Sequence, residues 1–289
     1  MYFQMKTRPI PKPVKRTPNL QHKIKDVLLD CFEHNAFSTF PYIVDGYTSK
    51  QAINKTNSGN CISLSMFIKD ELMKRYGVSS YLVPATVPSY IYKEGYLDVC
   101  HVSLVIPINA SSYYLIDPAF YFLEPVLIHM KQPSQPVRSM NIYDNKVDMV
   151  YSKLKSYDTR TLLNDYQSFP KDTKFCQCHY NDNSDDTWNY YLREIVNPDQ
   201  AISKFFITIR NEPFFVSTKL DHENKCIKDL IIRTHRGEDV SIKLNDETIY
   251  DGPVYNIPSD KKQMVEELLH SIGFDPELLT FYLELFNFI

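Results

Sequence analysis

Glycine is scarce in this chain, seven residues in 289, and neither G-x-G-x-x-G nor G-x-x-x-x-G-K-[ST] occurs. A backbone this poor in glycine builds no phosphate cradle, so dinucleotide-binding and P-loop chemistry are excluded. No apolar run approaches the roughly 18 residues that cross a bilayer, and no hydrophobic signal core opens the chain. A cytoplasmic protein that engages no membrane is the expectation. Charge of one sign is lacking too: the formal net charge is −3, with no global attraction to nucleic acid. There is no C-x-x-C pair. The six cysteines (Cys31, Cys61, Cys100, Cys176, Cys178 and Cys226) are scattered and read as free thiols in a reducing compartment. Cys176-Gln177-Cys178-His179 is the one cluster with a hint of metal ligation, and no second ligand pair at zinc spacing follows it. Neither a metal nor a tightly bound cofactor is expected.

What is present is a globular composition, 43% apolar and 23% charged, with 21 tyrosines and 17 phenylalanines. The first residues, MYFQM, resemble the remnant of a cleaved tag and are set aside. Lys6 to Pro18, rich in proline and basic residues, reads as an extended, solvated arm. Apolar residues at helical spacing predict helices over Gln21 to His34 and Cys61 to Tyr76, the second stopped by Gly77. Strand patterns follow at Ser80 to Val83, Val99 to Ile106 and Ser112 to Asp117, then a helical pattern at Thr159 to Tyr166 and a polar loop at Asn181 to Thr187. Further strands are read at Lys204 to Arg210, Pro213 to Ser217, Leu230 to Thr234 and Val240 to Leu244. Two helices, Ser259 to Ile272 and Pro276 to Phe288, close the chain. A helical start, a strand-rich middle and a mixed end make an α+β fold. Its expected parts are an arm (1–20), a helical part (21–98), an antiparallel β-rich part (99–180) and a lid-like α/β part (181–289).

The sharpest chemical feature is a thiol at a helix start. Ser58-Gly59-Asn60-Cys61 supplies turn and capping residues immediately before the apolar stripe of Leu64, Ile68 and Leu72. Unpaired N–H groups at a helix N-terminus favour thiolate over thiol and can hold an oxyanion beside it. Taken alone, a buried structural cysteine is the commoner outcome.

A hairpin adds the partners. The strands ending at Ile106 and beginning at Ser112 suit antiparallel neighbours, and pairing centred on Asn109 sets His101 opposite Asp117, on one face. A one-residue slip would separate them. A carboxylate beside an imidazole orients the ring and stabilises its charged form, and the second ring nitrogen can then exchange a proton with a thiol. Cys61, His101 and Asp117 are the candidate catalytic residues.

In order and spacing these three residues resemble the Cys-His-Asp thiol enzymes of the transglutaminase-like group, and within it the arylamine N-acetyltransferases. The similar stretches are QAINKTNSGNC (51–61), HVSLV from His101, YLIDPAF from Tyr114 to Phe120, Glu124-Pro125-Val126, and more faintly Trp188 to Asn245 with Phe214 to Lys219. The resemblance implies a papain/transglutaminase-like core and transfer of an acetyl group from acetyl-CoA, through a Cys61 thioester, to a small-molecule or peptide amine. It also implies a pocket role for Phe120 and coenzyme contacts at Ser217 and Thr218. The chain departs from the family where Arg-Gly-Gly would precede the cysteine, where Ser63 replaces a glutamate, and where Pro118-Ala119 replaces Val-Gly. Gly59-Asn60-Cys61 also suits transglutaminase-like peptidases or amide-forming enzymes. A retained scaffold that only binds is the non-enzymatic alternative.

Overall fold

The computed structural model describes residues 6–12, 17–89, 91–92, 99–129, 134–141, 146–156, 169, 173–180, 186–199, 214–220, 226–234, 239–245, 247–271 and 274–286. In chain order the N-terminal part holds β1 (Thr7–Pro9), α1 (Leu20–His34), β2 (Ala36–Ser38), α2 (Phe40–Ile43), α3 (Ser49–Thr56), β3 (Ser58–Gly59) and α4 (Cys61–Tyr76). The middle holds β4 (Tyr81–Ala85), β5 (His101–Asn109), β6 (Ser112–Ile116), β7 (Val126–His129), β8 (Val137–Asn141), β9 (Lys146–Ser156), β10 (Lys174–Tyr180), β11 (Thr187–Tyr191) and β12 (Arg193–Ile195). The C-terminal part holds β13 (Phe214–Leu220), β14 (Cys226–Thr234), β15 (Asp239–Leu244), β16 (Glu247–Pro253), α5 (Ser259–Ser271) and α6 (Pro276–Phe286). The fold is α+β, with N-terminal helices, an antiparallel middle sheet and a C-terminal sheet carrying helices.

Eight strands form the middle sheet in the order β7-β6-β5-β4-β11-β10-β9-β8. An isolated bridge from Phe122 to Ser139, with Leu123 N–H donating to the Arg138 carbonyl at 2.8 Å, curls one edge towards the other, so the sheet is barrel-like. Alternation along β5 divides its side chains between two cores. Val102, Leu104 and Ile106 pack against the helices, while Val105 faces the barrel interior with Val83, Leu115, Phe122, Trp188 and Tyr190. The second sheet runs β16-β15-β14-β13-β2-β3, and its outer core of Phe215, Ile232 and Val240 is covered by Val265, Leu268 and Leu283 of α5 and α6.

α4 is the element that places the thiol. Ile62, Leu64, Ile68 and Leu72 are buried on it, opposite Ile24, Val27 and Leu28 of α1, and Gly77 ends it in the left-handed conformation (φ 63°). Before it, β3 pairs in parallel with β2 (Ala36↔Ser58, Phe37↔Gly59), and β2 pairs with β13. The start of α4 is thus pinned to the second sheet while its body packs on the first.

The structure departs from the sequence reading in definite places. Part of the arm is docked: β1 pairs with β12, and Arg8 donates to both carboxylate oxygens of Glu194 at 2.7 and 2.9 Å. An ordinary basic stretch conceals this because pairing partners far along the chain leave no local pattern. β5 runs through Pro107 to Asn109, where Ile106 was expected to end it. β4 pairs only as far as Val105, so at Pro107 the strand has a neighbour on one side, and a bulge between Pro107 and Asn109 absorbs the irregularity. α3, β7 to β11 and β16 were not read at all. The expected helix at 159–166 and strand at 204–210 lie outside the described residues. No described helix is long and apolar enough to cross a membrane.

Truncating Ile68, fully buried between α4 and its neighbours, is expected to cost about 2–5 kcal/mol. Urea unfolding of Ile68→Ala measures it; a loss within experimental error would show that α4 is not packed as described.

Candidate active site

Asn60 caps α4. Its Oδ1 accepts from the N–H groups of Ile62 and Ser63, each at 3.1 Å. Cys61 is the first residue of the helix and is only 4% exposed. Around the cap lies a cluster of neutral hydroxyls. Tyr42 donates to Asn60 Oδ1 at 2.7 Å, receives Asn60 N–H at 3.0 Å and touches the Ser63 hydroxyl. Ser63 in turn donates to the Ser49 carbonyl at 2.7 Å, and the Ser49 hydroxyl bonds to Asp199. Burial pushes the Tyr42 phenol well above its ordinary value, which keeps it a donor. Gly59 is required here for space: a Cβ at this position would overlap the Ser63 side chain and lie 2.8 Å from the Tyr42 hydroxyl.

His101 opens β5, and its register is not the expected one. Leu104 pairs with Ile116 and Val105 with Leu115, so continuing the ladder sets Ser103, not His101, opposite Asp117. The displacement is two residues, an even number, and an even slip keeps both side chains on the same face. His101 and Asp117 therefore meet on the diagonal, with Nε2 2.6 Å from Oδ2. That bond occupies Nε2, and the Cys61 thiol is the second group that acts on the ring. Burial opposes the charged ring, but the charges of Asp117 and Cys61 and the hydrogen bonds to both outweigh it, and the His101 pKa is raised to about 10.

Asp117 is held from two sides. Its Oδ1 accepts the N–H groups of Ala119 and Phe120, at 3.1 and 3.0 Å, in the turn that Pro118 begins. Its Oδ2 also receives the Tyr190 hydroxyl at 2.7 Å. Tyr190 was missed in the sequence. It arrives because Tyr190 pairs with Ala85 and Ala85 with His101, so the three share one face of the sheet, with the small Ala85 side chain between the two rings. No spacing rule links residues 101 and 190. A regularly alternating β11 was the only available signal.

Phe120 stacks on the His101 ring, centroids 4.4 Å apart at 20°, and meets Trp188 edge-on at 5.7 Å. It is half-buried and covers one face of the imidazole. Ser217 and Thr218 lie on β13 opposite Leu230 and Asp229, with Ser217 buried. The strand is tied to the site one residue earlier, where the Tyr121 hydroxyl donates to the Val216 carbonyl at 3.5 Å. Cys176 and Cys178 point together into the barrel core, Sγ atoms 3.7 Å apart, while His179 falls on the alternate side of β10. Among the described residues no group of three His, Cys, Asp or Glu side chains suits a metal ion.

The raised His101 pKa gives a signed expectation. Between the ordinary histidine value of 6.5 and about 10 the folded ring holds a proton that the unfolded one releases. Its stabilising contribution is complete below 6.5 and is lost as pH rises towards 10. Imidazole NMR is expected to show a charged ring at pH 8, and a ring titrating near 6.5 would contradict the geometry. His101→Ala should remove part of the fall in urea midpoint over that window. Gly59→Ala is expected to lower the melting temperature by several degrees through overpacking against Ser63 and Tyr42; an unchanged melting curve would refute the contact.

No protein-family model matches the chain, and no curated protein matches it in sequence. Solved structures do match in shape. The Mycobacterium smegmatis arylamine N-acetyltransferase aligns at a TM-score of 0.53 and 10% identity, over 92% of this chain and 89% of that one. The M. marinum arylamine N-acetyltransferase, solved in complex with CoA, aligns at 0.53 and 12% identity over 92% of each chain. The Bacillus anthracis arylamine N-acetyltransferase C aligns at 0.52 and 14% identity, over 90% of this chain and 93% of that one. Identity this low speaks for architecture and not for chemistry: the chain has the fold of the arylamine N-acetyltransferases.

Proposed function

We propose that the chain is a thiol acyltransferase that moves an acyl group, acetyl in the simplest case, from coenzyme A to an amine. The observation that supports this reading is the bonded pair of His101 and Asp117, from β5 and the turn after β6, with Cys61 at the start of α4 near enough to raise the pKa of the ring. In the first step Cys61 Sγ, as thiolate, attacks the thioester carbonyl. The carbon–sulfur bond to coenzyme A breaks, and His101 gives its proton to the departing sulfur. In the second step an amine attacks the enzyme thioester, His101 accepts a proton from its nitrogen, and Cys61 leaves as thiolate. Asp117, steadied by Tyr190 and the turn amides, keeps the ring in place through both steps and favours the charged form in which it begins and ends the cycle. Phe120 borders the acceptor, and Ser217 and Thr218 mark the strand along which the coenzyme would run. The cytoplasm, where acyl-CoA is available and thiols stay reduced, suits this chemistry.

A second reading draws on one feature: Ser63, in a neutral cluster with Tyr42 and Asn60, stands where the acetyltransferases carry a glutamate. The same thiol could then attack an amide, as a transglutaminase-like peptidase or isopeptidase does.

Acetyl-CoA is expected to add one acetyl group to the protein by intact mass, mapped to Cys61 and absent from Cys61→Ala, and an arylamine should discharge it. Labelling of Cys61 by a peptide electrophile, with no acylation by any acyl-CoA, would replace the first reading with the second. Inertness towards both would refute enzymatic function.

A further inference from the structure

The two ends of the Asn60 amide are in opposite circumstances. Oδ1 is saturated, taking the Ile62 and Ser63 N–H groups and the Tyr42 hydroxyl. Nδ2 is buried and has no hydrogen-bond partner among the described residues. The amide cannot be turned over to relieve this, because the flip would set its NH2 group against two backbone donors. An unpaired buried donor is costly, and such groups in a folded chain call for a reason.

Its place supplies one. At the start of α4 the N–H groups of Ile62 and Ser63 are taken by Asn60 Oδ1, and that of Leu64 donates to the Asn60 carbonyl at 3.0 Å. Of the first four helical amides, only the N–H of Cys61 itself remains to receive an oxyanion. One donor seldom suffices for a tetrahedral intermediate at a carbonyl. The amide carbon is trigonal, so with Oδ1 laid over the first turn Nδ2 is turned away from the helix, on the residue that adjoins the nucleophile.

We propose that Asn60 Nδ2 and the Cys61 backbone N–H together hold the oxygen of a carbonyl attacked by Cys61, with Tyr42 as the positioning residue that orients the amide. The proposal rests on Cys61 being the nucleophile, and it holds for thioester and amide substrates alike.

The test compares two reactions of the same sulfur. Acetylation by p-nitrophenyl acetate forms the sulfur–acyl bond, expels nitrophenolate and passes through an oxyanion; alkylation by iodoacetamide displaces iodide and forms none. Asn60→Ser keeps a capping oxygen and removes the amide donors. It is expected to slow Cys61 acetylation by about 10²-fold and to leave alkylation unchanged. Asn60→Thr, which also caps and stays neutral, should show the same split and serves if the serine variant does not fold. Equal rates of acetylation in wild type and variant, or a parallel fall in both reactions, would overturn the proposal and leave the thiol reading standing. Wild-type Cys61 that is alkylated but never acetylated would overturn both.

Discussion

The arrangement depends on one contact, the 2.6 Å bond between His101 Nε2 and Asp117 Oδ2. An imidazole buried to 4% exposure would ordinarily lose its charge, since desolvation disfavours the cation. The carboxylate reverses that, and with the sulfur of Cys61 it lifts the ring to a pKa of about 10. Asp117 can do so only because it is itself anchored, by two turn amides on one oxygen and by Tyr190 on the other. Pro118, Ala85 and the register of β11 are therefore part of the site's chemistry even though none of them reaches a substrate.

The cysteine's side of the site is built on a different principle. Where His101 and Asp117 form an ion pair, the cap of α4 is held by neutral groups: the phenol of Tyr42, the amide of Asn60 and the hydroxyl of Ser63. These hydroxyls close around Gly59 so tightly that no side chain fits there. The cluster continues through Ser49 to Asp199, so the residues after β12 share in fixing the thiol. Two sheets meet at this point, one supplying the histidine and aspartate and the other, through β2 and β3, pinning the loop before the cysteine.

Much of this was legible in the residues themselves. The capping run Ser58-Gly59-Asn60 before an apolar stripe announced α4 and placed Cys61 at its first position. The hairpin reading erred in register, yet its use survived, because strand alternation has a period of two and the error was two residues. What could not be read is what distance along the chain conceals. Tyr190 reaches Asp117 across the two strands β4 and β5, Tyr42 reaches Asn60 through a short helix, and the arm docks on a strand 186 residues away. None of these contacts has a local periodicity to betray it. They exist because the sheets order themselves by tertiary packing, and only then do side chains become neighbours.

The central claim is that the imidazole of His101 serves the sulfur of Cys61, and the most direct measurement is the iodoacetamide alkylation rate of Cys61 at neutral pH in the wild type and in His101→Ala, mapped by peptide mass. If ring and sulfur act as a pair, the wild-type thiol reacts at least about tenfold faster than the thiol of the variant. Equal rates in the two proteins would contradict the account and leave Cys61 as an ordinary buried cysteine on a borrowed fold.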